Sequence, residues 1–128
     1  APDPSFTLAV YGYMTELAIE AAYKLAFEHE IFTELIVLTQ LAPFRLEPVL
    51  SSVEKTGRLL VAEEGNLSLG WGAEVVAQAA ETLGPRLKKA DRLAALDLPV
   101  PASLVLEQAV LPGVDALLSK AIQMNQGN

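Results

Sequence analysis

Residues 55–74 decide the fold, and they read KTGRLLVAEEGNLSLGWGAE. An apolar, β-favouring run in this stretch ends on the acids Glu63 and Glu64, and a loop punctuated by glycines then opens a helix near Gly72. Strand, loop and helix in that order are the repeating unit of an open α/β sheet. Such a unit places carboxylates and backbone amides beyond the carboxyl ends of the strands, where ligands and partners usually bind.

The rest of the chain alternates between strand and helix patterns in the same way. Strands are predicted at 6–11, 32–38, 58–62 and 89–95, and helices at 15–29, 46–56, 72–83, 104–108 and 114–124. The near-continuous apolar run at 32–38 indicates a strand covered on both faces, which favours a parallel sheet. Residues 98–101 are expected to be extended, because neither of their prolines can donate a ladder hydrogen bond. This alternation predicts an α/β fold with three layers, α/β/α.

Two local features of the predicted helices can be stated at the level of single residues. Gly57 follows the second helix where a left-handed residue commonly ends one. The third helix is expected to turn its small apolar side chains to the sheet: Ala73, Val76, Ala77, Ala80 and Leu83.

Composition limits the class of protein. The chain has 128 residues, enough for one domain, and its formal charge of −7 disfavours nucleic acid and anionic membranes as partners. It contains no cysteine, which excludes disulfides and thiolate chemistry, and no run is long and apolar enough for a membrane span. We predict a cytoplasmic protein, with a linker remnant at 1–6, one domain at 7–124 and a disordered tail at 125–128, cut from a longer polypeptide.

Candidate catalytic groups are few. The single histidine, His29, falls near a helix end among acids, which is typical of a surface residue. Glu63 and Glu64 would point to opposite sides of a strand end, so one is expected to bind the backbone of the following loop or helix while the other meets solvent or a subunit. We therefore predict no catalytic, cofactor-binding or metal-binding residue, and name Trp71, Glu64 and Asn66 as candidate partner contacts.

The glycines at 70 and 72 leave an alternative open. Glycines before a helix free backbone amides where the helix dipole favours an anion, so a free-standing small-ligand or anion-binding domain using Gly70 to Ala73 is a second hypothesis. The spacing matches neither a dinucleotide fingerprint nor a P-loop, and Glu74 would compete with a phosphate. Close packing of the helix on the sheet is the favoured explanation of Gly72 and Ala73.

The order of five short motifs resembles one family. They are Tyr11-Gly12, Leu41-Ala42-Pro43, the run from Lys55 to Glu63, Gly70-Trp71-Gly72-Ala73-Glu74-Val75, and Pro99-Val100-Pro101 leading to residues 106–112. Together they look like the C-terminal domain of the transketolase superfamily, closest to the beta subunit of thiamine-diphosphate-dependent 2-oxoacid dehydrogenases of the pyruvate or branched-chain type. The chain departs from that pattern at residues 37–41, which lack the family's acid and arginine, and at Ala62, which replaces a common histidine.

The resemblance implies a mostly parallel sheet of five strands and a role in assembly. In that family thiamine diphosphate and magnesium are held by preceding domains, so no cofactor is expected in this segment, and the parent would be an oxidoreductase. The implied partners are the alpha subunit, a second beta subunit and the subunit-binding domain of the acyltransferase core. An acidic surface suits a basic binding module of that kind.

Overall fold

Alternating strands and helices build a parallel sheet covered on both faces. The computed structural model describes residues 3–12, 14–38, 46–66, 71–95 and 113–126, with only the backbone described at 64–66 and 95. The strands are β1 (Phe6–Val10), β2 (Thr33–Val37), β3 (Arg58–Asn66) and β4 (Lys89–Ala95). The helices are α1 (Met14–His29), α2 (Glu47–Thr56), α3 (Trp71–Leu83) and α4 (Val114–Asn125), with a 3₁₀ turn at Gly84–Arg86.

The strand order in the sheet is β2-β1-β3-β4, and every adjacent pair is parallel. In the register of the central strands, Leu8 of β1 pairs with Leu35 of β2 on one side and with Leu60 of β3 on the other. The parallel arrangement confirms the prediction. The predicted count of five strands was one too high for the described ranges, which hold four; the extended segment expected at 98–101 lies outside them.

Residues of the two central strands alternate between two apolar clusters, one on each face of the sheet. The face covered by α1 and α4 buries side chains that include Phe6, Leu8, Leu25, Leu60, Leu117 and Met124. The face covered by α2 and α3 buries Ala9, Val49, Val53, Leu59, Val61, Val75 and Ala79 among others. The three-layer α/β/α prediction is therefore confirmed, with a core built from aliphatic side chains.

Three predictions about single elements were wrong. Strand β3 continues to Asn66 rather than ending at Ala62, with a register shift against β4 between these two residues. Strand β2 is the edge of the described sheet and only partly buried, so its apolar run did not mean cover on both faces. Of the side chains predicted to face the sheet from α3, Leu83 is buried and Val76 packs on the cluster, whereas Ala77 and Ala80 are exposed. The buried residues of α3 are Gly72, Val75, Ala79 and Leu83.

The other helix predictions agree with the structure to within one or two residues. Helix α1 ends at His29 as predicted and begins at Met14, one residue before the expected start. The predicted helix at 104–108 lies outside the described residues. The domain boundaries stay predictions; strand β1 begins at Phe6 and α4 ends at Asn125. None of the described helices is long and apolar enough to cross a membrane.

Gly57 ends α2 in the predicted left-handed conformation, with φ 73° and its N–H donating to the Val53 carbonyl. A Cβ at this position would also lie 3.2 Å from Lys88 Cδ. We expect Gly57→Ala to lower the free energy of unfolding by about 1–2 kcal/mol, the usual cost of a left-handed non-glycine residue. Urea unfolding followed by circular dichroism measures the change. Ser51→Ala, an exposed change on the same helix, is the control; equal stability of the two variants would contradict the expectation.

Candidate functional site

The carboxyl edge of the sheet has a topological switch point between β1 and β3, where the strand order reverses. Ligands of open α/β sheets usually bind in the crevice at such a point. Here Tyr11, which follows β1, meets Trp71, the first residue of α3, edge to face with ring centroids 4.9 Å apart and an interplanar angle of 75°. Both rings pack on the cluster beneath α2 and α3. Two aromatic side chains of the chain itself therefore occupy this position.

Glu63 joins strand β3 to helix α3. Its side chain is fully buried, and its Oε2 accepts a hydrogen bond from the Gly72 backbone N–H at 2.6 Å. That amide belongs to the first turn of α3, whose leading N–H groups have no partner within the helix. Glu63 thus caps the helix from the neighbouring strand, as expected of one of the two acids. Oε1 of the same carboxyl is buried and has no hydrogen-bond partner within the described ranges.

Burial raises the pKa of Glu63 above its ordinary value of 4.5, and the Gly72 N–H and the positive charge of Arg92 oppose that rise. Desolvation disfavours the charged form of a carboxyl group, whereas a donor or a cation favours it. The larger effect here is desolvation. The group is consequently easier to protonate than an exposed glutamate.

Gly72 is required by the close approach of α3 to the sheet. A Cβ at this residue would lie 3.0 Å from Cγ1 of Val61 and 3.3 Å from Cδ of Glu63. Both neighbours are fully buried in β3. The prediction that this glycine serves helix-to-sheet packing is confirmed.

The predicted site residues are only partly brought together. Trp71 is half-buried at the joint, while Glu64 and Asn66 lie in β3 with side chains outside the description, so their contact roles stay predictions. His29 is exposed at the end of α1, as expected. Helix α1 returns the chain from the carboxyl end of β1 to the start of β2. His29 therefore lies near the amino ends of the strands, whereas Glu63 lies near their carboxyl ends.

The residues described here do not form a metal centre. Among them there is no group of three or more His, Cys, Asp or Glu side chains that could hold a metal ion. The Gly72 amide, in the first turn of α3, already donates to the Glu63 carboxylate. These residues therefore do not fit a magnesium and diphosphate site, and no chemical step is assigned to them.

Two residues of the joint were missed by sequence reasoning. Arg92 on β4 supplies the charge that acts on Glu63, and Tyr11 supplies the ring that meets Trp71. Arg92 lies in the neighbouring strand β4 and Tyr11 directly follows β1, so no local spacing in the sequence could have paired them with residues 63–72. The one available signal for Arg92 was a cation inside a predicted strand.

A cluster of hydroxyls fixes α2 to β1 away from this joint. Thr7 Oγ1 lies 2.6 Å from Ser52 Oγ and 2.9 Å from Thr56 Oγ1. Glu34 lies on β2, and the Ser52 hydroxyl and the Lys55 ammonium lower its pKa from the ordinary value of 4.5. Ser52 is thus a buried residue that connects α2 to β1.

Fold and joint together define an α/β domain in which Tyr11 and Trp71 are in contact at the switch point of the sheet. A family model described as Transketolase, C-terminal domain matches residues 2–117, and the chain belongs to that family. The beta chain of a split-gene transketolase, solved as an inactive beta4 tetramer, superimposes with a TM-score of 0.82 at 21% identity. The match covers 97% of this chain and 40% of the other, and it confirms the fold.

Curated relatives are beta subunits of oxidoreductases. The 3-methyl-2-oxobutanoate dehydrogenase subunit beta of Mycobacterium tuberculosis is 34% identical over 113 residues, 88% of this chain and 32% of its own length. The pyruvate dehydrogenase E1 component subunit beta of Leifsonia xyli is 37% identical over 88% of this chain and 33% of its own length. The acetoin:2,6-dichlorophenolindophenol oxidoreductase subunit beta of Cupriavidus necator is 33% identical over 94% of this chain and 36% of its own length. The chain spans about a third of the length of these relatives.

Proposed function

We propose that this chain is the C-terminal assembly domain of the beta subunit of a 2-oxoacid dehydrogenase. The parent enzyme uses thiamine diphosphate and magnesium to decarboxylate a 2-oxoacid oxidatively and passes the acyl group to a lipoyl arm. The domain contributes no catalytic residue and holds no cofactor. Its partners are the alpha subunit, a second beta subunit and the subunit-binding domain of the acyltransferase, and it acts in the cytoplasm.

The observation that carries the proposal is the contact between Tyr11 and Trp71 at the switch point. An enzyme or ligand-binding domain of this architecture needs a crevice between the central strands, and Tyr11 and Trp71 meet at that position. The Gly72 amide is also taken by Glu63, and a bound anion would face a buried carboxyl group there. This geometry counts against the anion-binding alternative. Relatives named as dehydrogenase beta subunits, at 34% and 37% identity, supply the class of parent.

Activity of the chain by itself tests the non-catalytic part of the proposal. We expect titration with thiamine diphosphate and magnesium to give no saturable heat by calorimetry. We also expect no dichlorophenolindophenol reduction when pyruvate, 3-methyl-2-oxobutanoate or acetoin is added. The ring contact at the switch point and the absence of a metal-binding group among the described residues give the reason. Micromolar cofactor binding or any turnover would refute this part.

The assembly part is tested in the complete enzyme, where Trp71, Glu64 and Asn66 are the proposed contacts. The double change Trp71→Ala and Glu64→Ala should weaken subunit association at least tenfold in sedimentation velocity, with kcat per assembled enzyme unchanged. Ala77→Gln, at an exposed position of α3, is the control. A loss of kcat in fully assembled enzyme would contradict a non-catalytic role, and unchanged association would contradict the contact residues.

A further inference from the structure

A polar cavity opens at the amino ends of the strands, on the opposite edge of the sheet from the joint of β3 and α3. It has a volume of about 570 Å³, which is within the usual range for a small-molecule site. The described residues that line it are all polar or charged: Ser5, Thr56, Arg58, Lys88 and Asn125. Two of these residues are cations and none is an acid, so the cavity is positively charged in a chain whose net charge is −7.

The parallel sheet explains why these residues meet. Strands β1, β3 and β4 begin at Phe6, Arg58 and Lys89, and parallel strands begin at the same edge of a sheet. Helix α2 ends at Thr56, two residues before β3 begins. Helix α4 ends beside β3, because Nη1 of Arg58 donates to the Met124 carbonyl at 3.0 Å. The cavity therefore gathers side chains from four segments that are distant in the sequence.

Two cations at this edge bind the end of α4. Lys89 Nζ donates to the carbonyls of Gln123 and Gln126, and Arg58 donates to that of Met124. These bonds satisfy terminal carbonyls that have no partner within the helix, and they oppose the negative end of its dipole. A carbonyl group has no net charge, so the Arg58 guanidinium, which also lines the cavity, keeps its positive charge.

Lys88 takes no part in this helix end and is held at the wall of the cavity. Its methylene stem lies over Gly57, where an added Cβ would be 3.2 Å from Lys88 Cδ. Its backbone N–H donates to the Gly57 carbonyl at 2.7 Å. Among the residues that the structure describes, its ammonium group forms no salt bridge. A positioned cation in a cleft that has no acid in its wall attracts an anion.

The uncharged side chains of the cavity add hydrogen-bonding groups to these charges. Ser5 and Asn125 are half-buried and contribute a hydroxyl and a carboxamide, each of which can donate. The Thr56 hydroxyl lies 2.9 Å from that of Thr7, which fixes this part of the wall. Donors on several sides suit a tetrahedral phosphate better than a planar carboxylate, and a dianion matches two cations.

We propose that this cavity binds the phosphate group of a small phosphate monoester. Lys88 and Arg58 supply the positive charge, and Ser5 and Asn125 donate to phosphate oxygens. The volume beyond the phosphate receives the rest of the ligand. A diphosphate bound to magnesium brings its own cation to Lys88, so we do not expect it here. The site is separate from the joint of β3 and α3, and it does not depend on the class of the parent enzyme.

Methyl phosphate titrated into the intact, ¹⁵N-labelled 128-residue chain tests the proposal. At about pH 8 and low salt, where the monoester is a dianion, we expect saturation with a dissociation constant below about 1 mM. The largest amide shifts should fall at residues 5, 57, 58, 88 and 125. Methyl sulfate has the same shape and half the charge, so it should bind at least tenfold more weakly.

Three outcomes of this titration would overturn the proposal. The first is the absence of saturable binding. The second is equal or tighter binding of succinate, which would identify a dicarboxylate as the ligand. The third is a set of shifts centred on residues 71–73, which would place the anion at the start of α3 and would also contradict the assignment of that joint to packing.

Matched charge variants make the result specific. Lys88→Gln should weaken methyl phosphate binding at least tenfold, whereas Lys88→Arg keeps the charge and should stay within threefold of the unchanged chain. Lys24→Gln, which removes the same charge from a residue paired with Glu20 on α1, is the control and should stay within twofold. Equal weakening by Lys88→Gln and Lys24→Gln would show that only the net charge matters, and it would overturn the proposal.

Discussion

Gly72→Val is expected to lower the free energy of unfolding by about 2–3 kcal/mol, the upper part of the usual range for overpacking a core. A Cβ alone would lie 3.0 Å from Val61 Cγ1 and 3.3 Å from the Glu63 carboxyl carbon. Neither neighbour can move toward solvent, since both are fully buried. The two additional methyl groups of valine must therefore push α3 away from β3, which also lengthens the hydrogen bond from the Gly72 amide to Glu63.

Urea unfolding with circular dichroism detection measures this loss. Ala80→Val is the matched control, because residue 80 is exposed on the same helix and valine costs there only its lower helix propensity, a few tenths of a kcal/mol. Gly72→Ala should fall between the two, since it adds the Cβ contact alone. Equal midpoints for the Gly72→Val and Ala80→Val variants would mean that α3 has room to move at this point.

Glu63→Gln is expected to change how stability depends on pH. Since the pKa of Glu63 is raised in the folded domain above 4.5, the native state holds this proton over a pH range in which the unfolded chain has lost it. Stability falls with rising pH wherever the native state binds more protons. The unchanged domain should therefore lose stability from about pH 4.5 upward to the folded-state pKa, at about 1.4 kcal/mol for each unit of the rise.

Glutamine keeps an oxygen that can accept the Gly72 N–H and cannot ionise, so the variant should lack this decline. The difference in unfolding free energy between Glu63→Gln and the unchanged domain should grow in favour of the variant from about pH 4.5 up to the folded-state pKa of Glu63. Glu81→Gln, at an exposed position of α3, is the control and should follow the unchanged domain. A difference that stays constant over this range would contradict a raised pKa at Glu63.

Glu34 is expected to make the domain less stable as the pH falls, in a pH range below the one in which Glu63 acts. Its pKa is lowered by the Ser52 hydroxyl and Lys55. An acid of this kind stabilises the fold above its ordinary pKa, and that contribution is lost as pH falls through the folded-state value. All variants that keep Glu34 should therefore lose stability together below about pH 4.5, so the comparison at higher pH isolates Glu63.

The elements of this fold could be predicted from the sequence wherever one face of the chain differs chemically from the other. Helix α1 combines buried Ala18, Ala21 and Leu25 with exposed acids, and its end at His29 was predicted correctly. Gly57 was found because a left-handed helix end has a strong residue preference. Helix α3 lacks such a contrast: alanines occur on several of its sides, so periodicity alone could not select the face that packs on the sheet.

The burial of Glu63 at the joint between β3 and α3 was not predicted, for a different reason. A charged residue after an apolar run usually ends a buried strand, and for this reason the predicted strand stops at Ala62, before Glu63. In the structure, a backbone amide of the next helix donates to the buried Glu63 carboxylate, and the positive charge of Arg92 on the next strand stabilises its charged form. These partners exist only after β3, α3 and β4 have packed together, so local sequence could suggest that an acid binds the helix but could not show its burial.

The alternation of β1 and β3 between the two apolar clusters has a consequence for how the domain folds. Leu8 and Leu60 contribute to one face, while Ala9 and Leu59 contribute to the other. Pairing Thr7 with Leu59 closes a long loop, which is slow compared with helix formation. Each apolar cluster contains residues of both β1 and β3, so neither cluster can form before these strands pair, and both lose contacts if the strands separate. We therefore expect the domain to unfold in a single cooperative transition, in which the two helical layers do not melt separately.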